Sequence, residues 1–162
     1  MRIIGIDPGL KVTGYGIIDY QGHHLRLVEA GIITPRPKDA IHEKVYRVYK
    51  NLDDVLVQRK PDVLVLEKLY AHYKHPATAA VMGHVRGVIC LLCAQHKIQL
   101  CEQSVKRIRK SVTGQGSASK GQTQDMVAHV LNIDARKLTP DASDALALAL
   151  GYVHIFSKNI DF

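Results

Sequence analysis

Ile3, Ile4 and Ile6 surround Gly5 and lead into Asp7-Pro8-Gly9, the pattern of a buried strand that delivers one carboxylate into a tight turn. Residues 13 to 20 (Thr-Gly-Tyr-Gly-Ile-Ile-Asp-Tyr) and 25 to 33 (Leu-Arg-Leu-Val-Glu-Ala-Gly-Ile-Ile) are two further β-type runs, separated by the turn signal Gln21-Gly22. The three together predict an antiparallel meander. From residue 41 the period changes: Ile41, Val45, Val48, Tyr49, Leu52, Val55 and Leu56 fall on one helix face, and Pro61 closes that helix. Asp62 to Leu66 is a continuous apolar run of strand length, as expected of a central parallel strand covered on both faces. It too ends on an acid, Glu67.

Beyond it, Lys68 to Pro76 is polar, aromatic and His-containing and reads as a loop, and Ala77 to Gln95 is a long helix rich in Ala, Gly and Val. A short strand, Ile98 to Cys101, precedes a basic helix from Val105 to Val112 carrying Lys106, Arg107, Arg109 and Lys110. A flexible stretch, Gly114 to Ala118, separates this helix from Ser119, which with Gln122 forms a capping-box pattern opening a helix to about Leu131. Thr139-Pro140 supplies the N-cap and first residue of a last helix, Asp141 to Phe156. There are no internal repeats and no low-complexity linker.

At 162 residues and 46% hydrophobic content, residues 1–162 are expected to form a single domain, long enough to bury about 70% of the surface of the unfolded chain. Lys and Arg outnumber Asp and Glu by 22 to 15, a net charge of +7 with nine further His. That surplus favours a polyanionic partner, with nucleic acid the leading candidate. The N-terminus lacks the apolar core of a signal peptide, and no apolar stretch of about 18 residues is free of charge. A soluble cytoplasmic protein is therefore expected, with no membrane association. Cys90, Cys93 and Cys101 make no disulfide framework and read as buried core thiols; with only His96 nearby, the set is incomplete for zinc.

An acid at the end of a buried strand is costly to desolvate unless a cation or donor meets it. Asp7 alone has two readings: its side chain caps the Pro-Gly turn, or it belongs to a site. Asp141 and Asp144 stand three residues apart in the first turn of an otherwise apolar helix, where the helix dipole favours their ionised forms. If the strands carrying Asp7 and Glu67 are neighbours and the last helix crosses them, four carboxylates converge at one edge. Such a group repels itself unless divalent cations sit within it, and hard oxygen donors suit Mg²⁺ or Mn²⁺. Two such ions about 4 Å apart support phosphodiester cleavage.

Gly5-Ile-Asp-Pro-Gly with Gly14-Tyr-Gly, Leu66-Glu67, the Gly-Gln-Gly-Ser-Ala-Ser-Lys run at 114 to 120, and Asp141-Ala-Ser-Asp-Ala-Leu-Ala occur in order at natural spacing. In this combination the chain resembles the RuvC Holliday junction resolvases over roughly residues 1 to 155. The resemblance implies an α/β ribonuclease-H-like fold, a mixed five-stranded sheet with helices on both faces. It implies a homodimer that resolves four-way junction DNA by paired, symmetric, Mg²⁺-dependent nicks in recombination and repair. It implies that Asp7, Glu67, Asp141 and Asp144 are the catalytic metal-binding acids, holding two Mg²⁺ ions that Mn²⁺ can replace. Lys120 matches a basic residue that meets the scissile phosphate. Arg109 stands where relatives carry Lys, and Tyr70 where they commonly carry a Phe that probes bases at the junction centre. RuvA and RuvB are implied as partners. The helix from Ala77 to Gln95 resembles the dimer-forming region, its small residues suited to a close twofold contact.

His154 matches no assigned role and reads as structural. The longer basic tail frequent in the family is missing after Asn159-Ile-Asp-Phe, which bears on junction affinity and not on chemistry. Three other functions fit parts of the pattern. An actin-like sugar kinase or ATPase shares Gly-Ile-Asp-x-Gly but needs two domains; a non-catalytic junction-binding protein would need only the charge; and a related nuclease for other branched nucleic acids would share the acids.

Overall fold

A computed structural model describes residues 1–68 and 76–156, the side chains of 76–78 excepted. Strands β1 (Arg2–Asp7), β2 (Thr13–Gln21) and β3 (His24–Ile33) form the expected meander, and helix α1 (Ile41–Arg59) follows. Strand β4 (Val63–Glu67), helix α2 (Pro76–His96) and strand β5 (Gln99–Gln103) come next. Helices α3 (Val105–Thr113), α4 (Lys120–Leu131) and α5 (Pro140–Phe156) complete the described chain, with a 3₁₀ turn at Ala135–Lys137 before α5. That turn was not foreseen; it is capped by Asp134, whose carboxylate accepts from the Arg136 N–H at 3.0 Å.

The sheet runs β3-β2-β1-β4-β5. β1 pairs antiparallel with β2 and parallel with β4, which in turn pairs parallel with β5. The expected mixed five-stranded sheet is therefore present. Strand alternation separates its two faces. Ile3, Ile18, Val63 and Val65 pack with α3, α4 and α5, whereas Ile4, Ile6, Ile17, Leu64 and Leu66 pack with α1 and α2. On the first face Gly5 continues from Ile3 and ends at Asp7, and Val63 and Val65 end at Glu67. Both strand-end acids therefore project from the face that α5 crosses.

The approach of α5 depends on missing side chains. A Cβ on Gly5 would lie 2.0 Å from the Ala145 carbonyl oxygen, one on Gly14 2.1 Å from that of Asp141, and one on Gly16 2.5 Å from Leu146. Three glycines on β1 and β2 thus form the bed on which the helix backbone rests. Thr139 begins α5 as expected, its Oγ1 accepting from the Ala142 N–H at 3.4 Å.

β5 continues two residues beyond the expected Cys101 because Glu102 and Gln103 pair with Leu66 and Glu67 of β4. The cysteines need correction: Cys93 is buried, but Cys101 is only half-buried and Cys90 is exposed. α2 is apolar on every side, and among its described residues Val85, Ile89, Leu92 and Cys93 form the stripe buried in the core against the sheet and α1. Composition could not say which stripe would be covered. The segment Ala79–His96 of this helix has the length and mean hydropathy, 1.2, of a membrane-crossing helix. Arg86 interrupts it, with its guanidinium turned back onto the sheet edge.

Candidate active site

The ladder between β1 and β4 sets Ile6 beside Leu66, so the next residues, Asp7 and Glu67, emerge side by side at the carboxyl end of the central strands. Asp7 also faces Gly14 across the β1–β2 ladder. Because Gly14 admits the backbone of Asp141, the first turn of α5 lands over this strand end. Asp144, one turn further on, then completes the approach.

Asp7, Glu67 and Asp144 line one cleft of about 180 Å³ with Arg109 of α3 and Lys120 of α4. The Lys120 ammonium donates to Asp144 Oδ2 at 2.7 Å. Lys120 is held at the start of α4 by a reciprocal cap: Ser119 N–H donates to Gln122 Oε1 at 2.8 Å and Gln122 N–H to Ser119 Oγ at 3.2 Å. Gly114, at φ +79, ends α3 by donating its N–H to the Lys110 carbonyl at 3.0 Å. The linker expected to be flexible is therefore bounded by a C-cap and an N-cap.

Burial, and then the charges of Asp144 and Glu67, push the Asp7 carboxyl up to about 7; Asp141 adds to this and Lys120 opposes it. Glu67 is also raised, first by burial and then by Asp144, while Lys120, Arg109 and Arg86 pull it down. The hydrogen bond to Asp144 raises the Lys120 ammonium above its ordinary range. These shifts have a consequence for stability. A carboxyl that binds its proton more tightly folded than unfolded stabilises the fold while protonated, and that contribution is lost as pH rises through its folded value. Thermal unfolding of metal-free protein should therefore occur at lower temperature at pH 8 than at pH 5.5. With its folded value at about 7, Asp7 would contribute at most about 2 kcal/mol over this interval. A midpoint that rises over this interval would show that Asp7 is not under such strain.

The donor set is chemically suited to a hard divalent cation: three carboxylates, two of them raised in pKa by burial and mutual repulsion. Among the described residues, no group of three or more His, Cys, Asp and Glu is already arranged to hold a metal ion. The positive charge beside Asp144 comes instead from Lys120.

Of the residues singled out in the sequence, Asp7, Glu67, Asp144, Lys120 and Arg109 thus come together. Asp141 does not line the cleft; it stands one turn before Asp144 and acts on Asp7 through its charge. Tyr70 lies outside the described residues. His154 is near the far end of α5, where its Nδ1 meets the Ser111 carbonyl at 2.9 Å and ties α5 to α3. Sequence reasoning missed Arg86, whose guanidinium donates to the Glu67 carbonyl and to the Glu102 carboxylate. Its signal was available: it is the one Lys, Arg, Asp or Glu in α2.

Comparison with known proteins points to a family. The sequence model described as crossover junction endodeoxyribonuclease RuvC matches residues 3–152. The crossover junction endodeoxyribonuclease RuvC of Rhodopirellula baltica is 38% identical over 159 residues, covering 98% of this chain and 89% of the relative. That of Alkaliphilus oremlandii is 36% identical over 154 residues, covering 95% and 93%. The structure of Thermus thermophilus RuvC in complex with Holliday junction substrate superposes with a TM-score of 0.90 at 22% identity, covering 98% of this chain and 96% of that one. This likeness carries the ribonuclease-H-like fold. Matched across nearly its whole length by sequence and by fold, the chain belongs to the RuvC family of crossover junction endodeoxyribonucleases.

Proposed function

We propose that this chain resolves Holliday junctions as a homodimer, each protomer nicking one of two symmetric DNA strands through a metal-loaded carboxylate site. The observation that carries this reading is the meeting of Asp7, Glu67 and Asp144 with Lys120 and Arg109 in one cleft of a RuvC-family fold. Asp7, Glu67, Asp141 and Asp144 would hold two Mg²⁺ ions, for which Mn²⁺ can substitute. When bound, the ions supply an activated water and stabilise the departing 3′ oxygen, leaving a 5′ phosphate. The protein side chains do the rest. Arg109 and Lys120 attract and orient the DNA phosphate beside the acids. Lys120 neutralises Asp144 in the resting site and becomes available to a phosphate when that pairing is released.

The decisive experiment compares cleavage of a four-way junction, a linear duplex and an RNA–DNA hybrid, each with Mg²⁺ and without it. Paired nicking confined to the junction with Mg²⁺ is expected. Equal cutting of the hybrid or duplex would indicate another nuclease substrate, and junction binding without cutting would indicate a binding protein.

The homodimer reading rests on family membership and on the outer face of α2. Ala80, Gly83, Gly87, Cys90, Leu91 and Ala94 are exposed there, Leu91 at 52%. A Cβ on Gly83 or Gly87 would meet nothing within 4 Å in the protomer. Gly83→Leu should therefore leave the protomer folded but weaken self-association in sedimentation, and should turn paired nicks into single ones on a cruciform plasmid. Retained dimers with paired nicking would place the twofold contact elsewhere. Tyr70 is proposed to stack on bases at the junction centre, a contact worth about 1 to 3 kcal/mol per base. RuvA and RuvB are proposed as the branch-migration partners, and the cytoplasm as the place of action.

A further inference from the structure

Arg86 sits midway along an apolar helix, yet its side chain is only 12% exposed. A guanidinium withdrawn from water is unfavourable unless its donors are used, and here both ends of the fork are used. Nη1 donates to the backbone carbonyl of Glu67 and Nη2 to the Glu102 carboxylate. The two acceptors lie at the ends of neighbouring strands. Glu67 is the last residue of β4, and the next N–H, that of Lys68, donates to the Gln103 carbonyl at 2.8 Å. Arg86 thus holds the carbonyl of the same peptide whose N–H pairs with the edge of β5. The root of Arg86 is itself fixed, because Val85 and Ile89 on either side of it are fully buried.

We infer that Arg86 is a positioning residue for Glu67: its guanidinium, braced by Glu102, holds the backbone of the acid and couples its aim to α2. The inference rests on reading Glu67 as a metal-holding acid of a junction nuclease. The clamp ties the end of β4 at Glu67 directly to α2. One guanidinium therefore joins the acid to the helix whose exposed stripe, starting beside it at Gly83 and Cys90, is proposed to meet the second protomer. A lysine could reach one acceptor, but its single ammonium cannot reproduce the planar fork. The same positive charge also favours the ionised form of Glu67, against burial.

The test uses the full chain with Arg86→Met, Arg86→Lys and Glu102→Gln. It reads single-turnover junction cleavage in Mg²⁺, junction affinity without metal, dimerisation by sedimentation, and Mn²⁺ affinity by calorimetry. Arg86→Met should cleave roughly 10- to 100-fold more slowly and bind Mn²⁺ more weakly within the same range, with junction affinity and dimerisation unchanged. Arg86→Lys should recover part of the loss. Glu102→Gln should lose less than Arg86→Met and add nothing in the Arg86→Met background. If Arg86→Met does not fold, Glu102→Gln alone decides, since its carboxylate is 44% exposed and replaceable without disturbing the core. Wild-type cleavage and Mn²⁺ affinity in Arg86→Met, or in Glu102→Gln where it alone decides, would overturn the inference. So would a loss in Arg86→Met fully accounted for by weaker junction binding or dissociated dimers. If the wild-type chain cuts no junction, the parent reading fails, and the Mn²⁺ affinities still judge the clamp.

Discussion

Asp7→Asn should abolish junction cleavage, with a fall on the order of 10³-fold or more, about 4 kcal/mol of activation free energy, and should at the same time make the metal-free protein more heat-stable. The two effects have one cause. Asp7 is the acid on which burial and the charges of Asp144 and Glu67 act together, pushing its carboxyl up to about 7. An amide removes that charge while keeping the shape, so the resting fold gains what repulsion had taken. The amide also removes an anionic oxygen from the set that would hold the metals. Junction affinity should change little, because Arg109, Lys120 and the exposed Lys106, Arg107 and Lys110 remain to meet the phosphates. Cleavage assays, gel-shift titrations and thermal unfolding in EDTA read the three quantities separately. Near-wild-type cleavage by Asp7→Asn would remove Asp7 from the chemistry. A lower midpoint at pH 8 would show that its charge is satisfied in the resting protein.

The second large effect is expected at Gly5, which carries no chemistry. In Gly5→Ala the new methyl would lie 2.0 Å from the Ala145 oxygen and 2.9 Å from the Ala149 nitrogen. Both are backbone atoms, so no rotamer change relieves the clash and α5 must lift from the sheet. Such overpacking costs about 3 kcal/mol or more, or roughly 6 to 12 °C in thermal midpoint for a chain of this size. Cleavage should fall further than the folded fraction. Lifting α5 carries Asp144 away from Asp7, and displacement by about 1 Å can cost about 10²-fold in rate. Gly121→Ala is the matched control: in α4 its Cβ would meet only Ser119 Oγ at 3.9 Å, so the midpoint should hold or rise. Equal midpoints for Gly5→Ala and the wild-type chain would mean that α5 does not rest on β1 as described.

The strands were legible because buried strands leave continuous apolar runs, and β1 and β4 each close such a run with an acid. The caps were legible because Ser119 and Gln122 stand at the spacing their reciprocal bonds require. That Asp7 and Glu67 share a face follows from alternation once β1 and β4 are neighbours, a fact of topology that neither strand carries alone. The close seat of α5 was hidden for a different reason. A glycine in a strand reads as a weak strand residue, and only the helix above it shows that Gly5, Gly14 and Gly16 are places of contact. The orientation of α2 was hidden because a helix apolar on all sides offers no polar face to turn outward; Cys90 was misplaced for that reason. Arg86 escaped notice because its partners lie on two strands, one of them 16 residues further along the chain.

The seat of α5 on β1 also bears on how the chain acquires its activity during synthesis. The acid from the first strand and the acid from the last helix meet only when α5 has been made and has settled on its glycine bed. Until then a nascent chain can present the meander, and β4 with its Glu67, without a complete cutting site. On the proposed site, a domain that draws its acids from its earliest and latest elements would not nick DNA while partly made, and a product truncated before α5 would be inert as a nuclease.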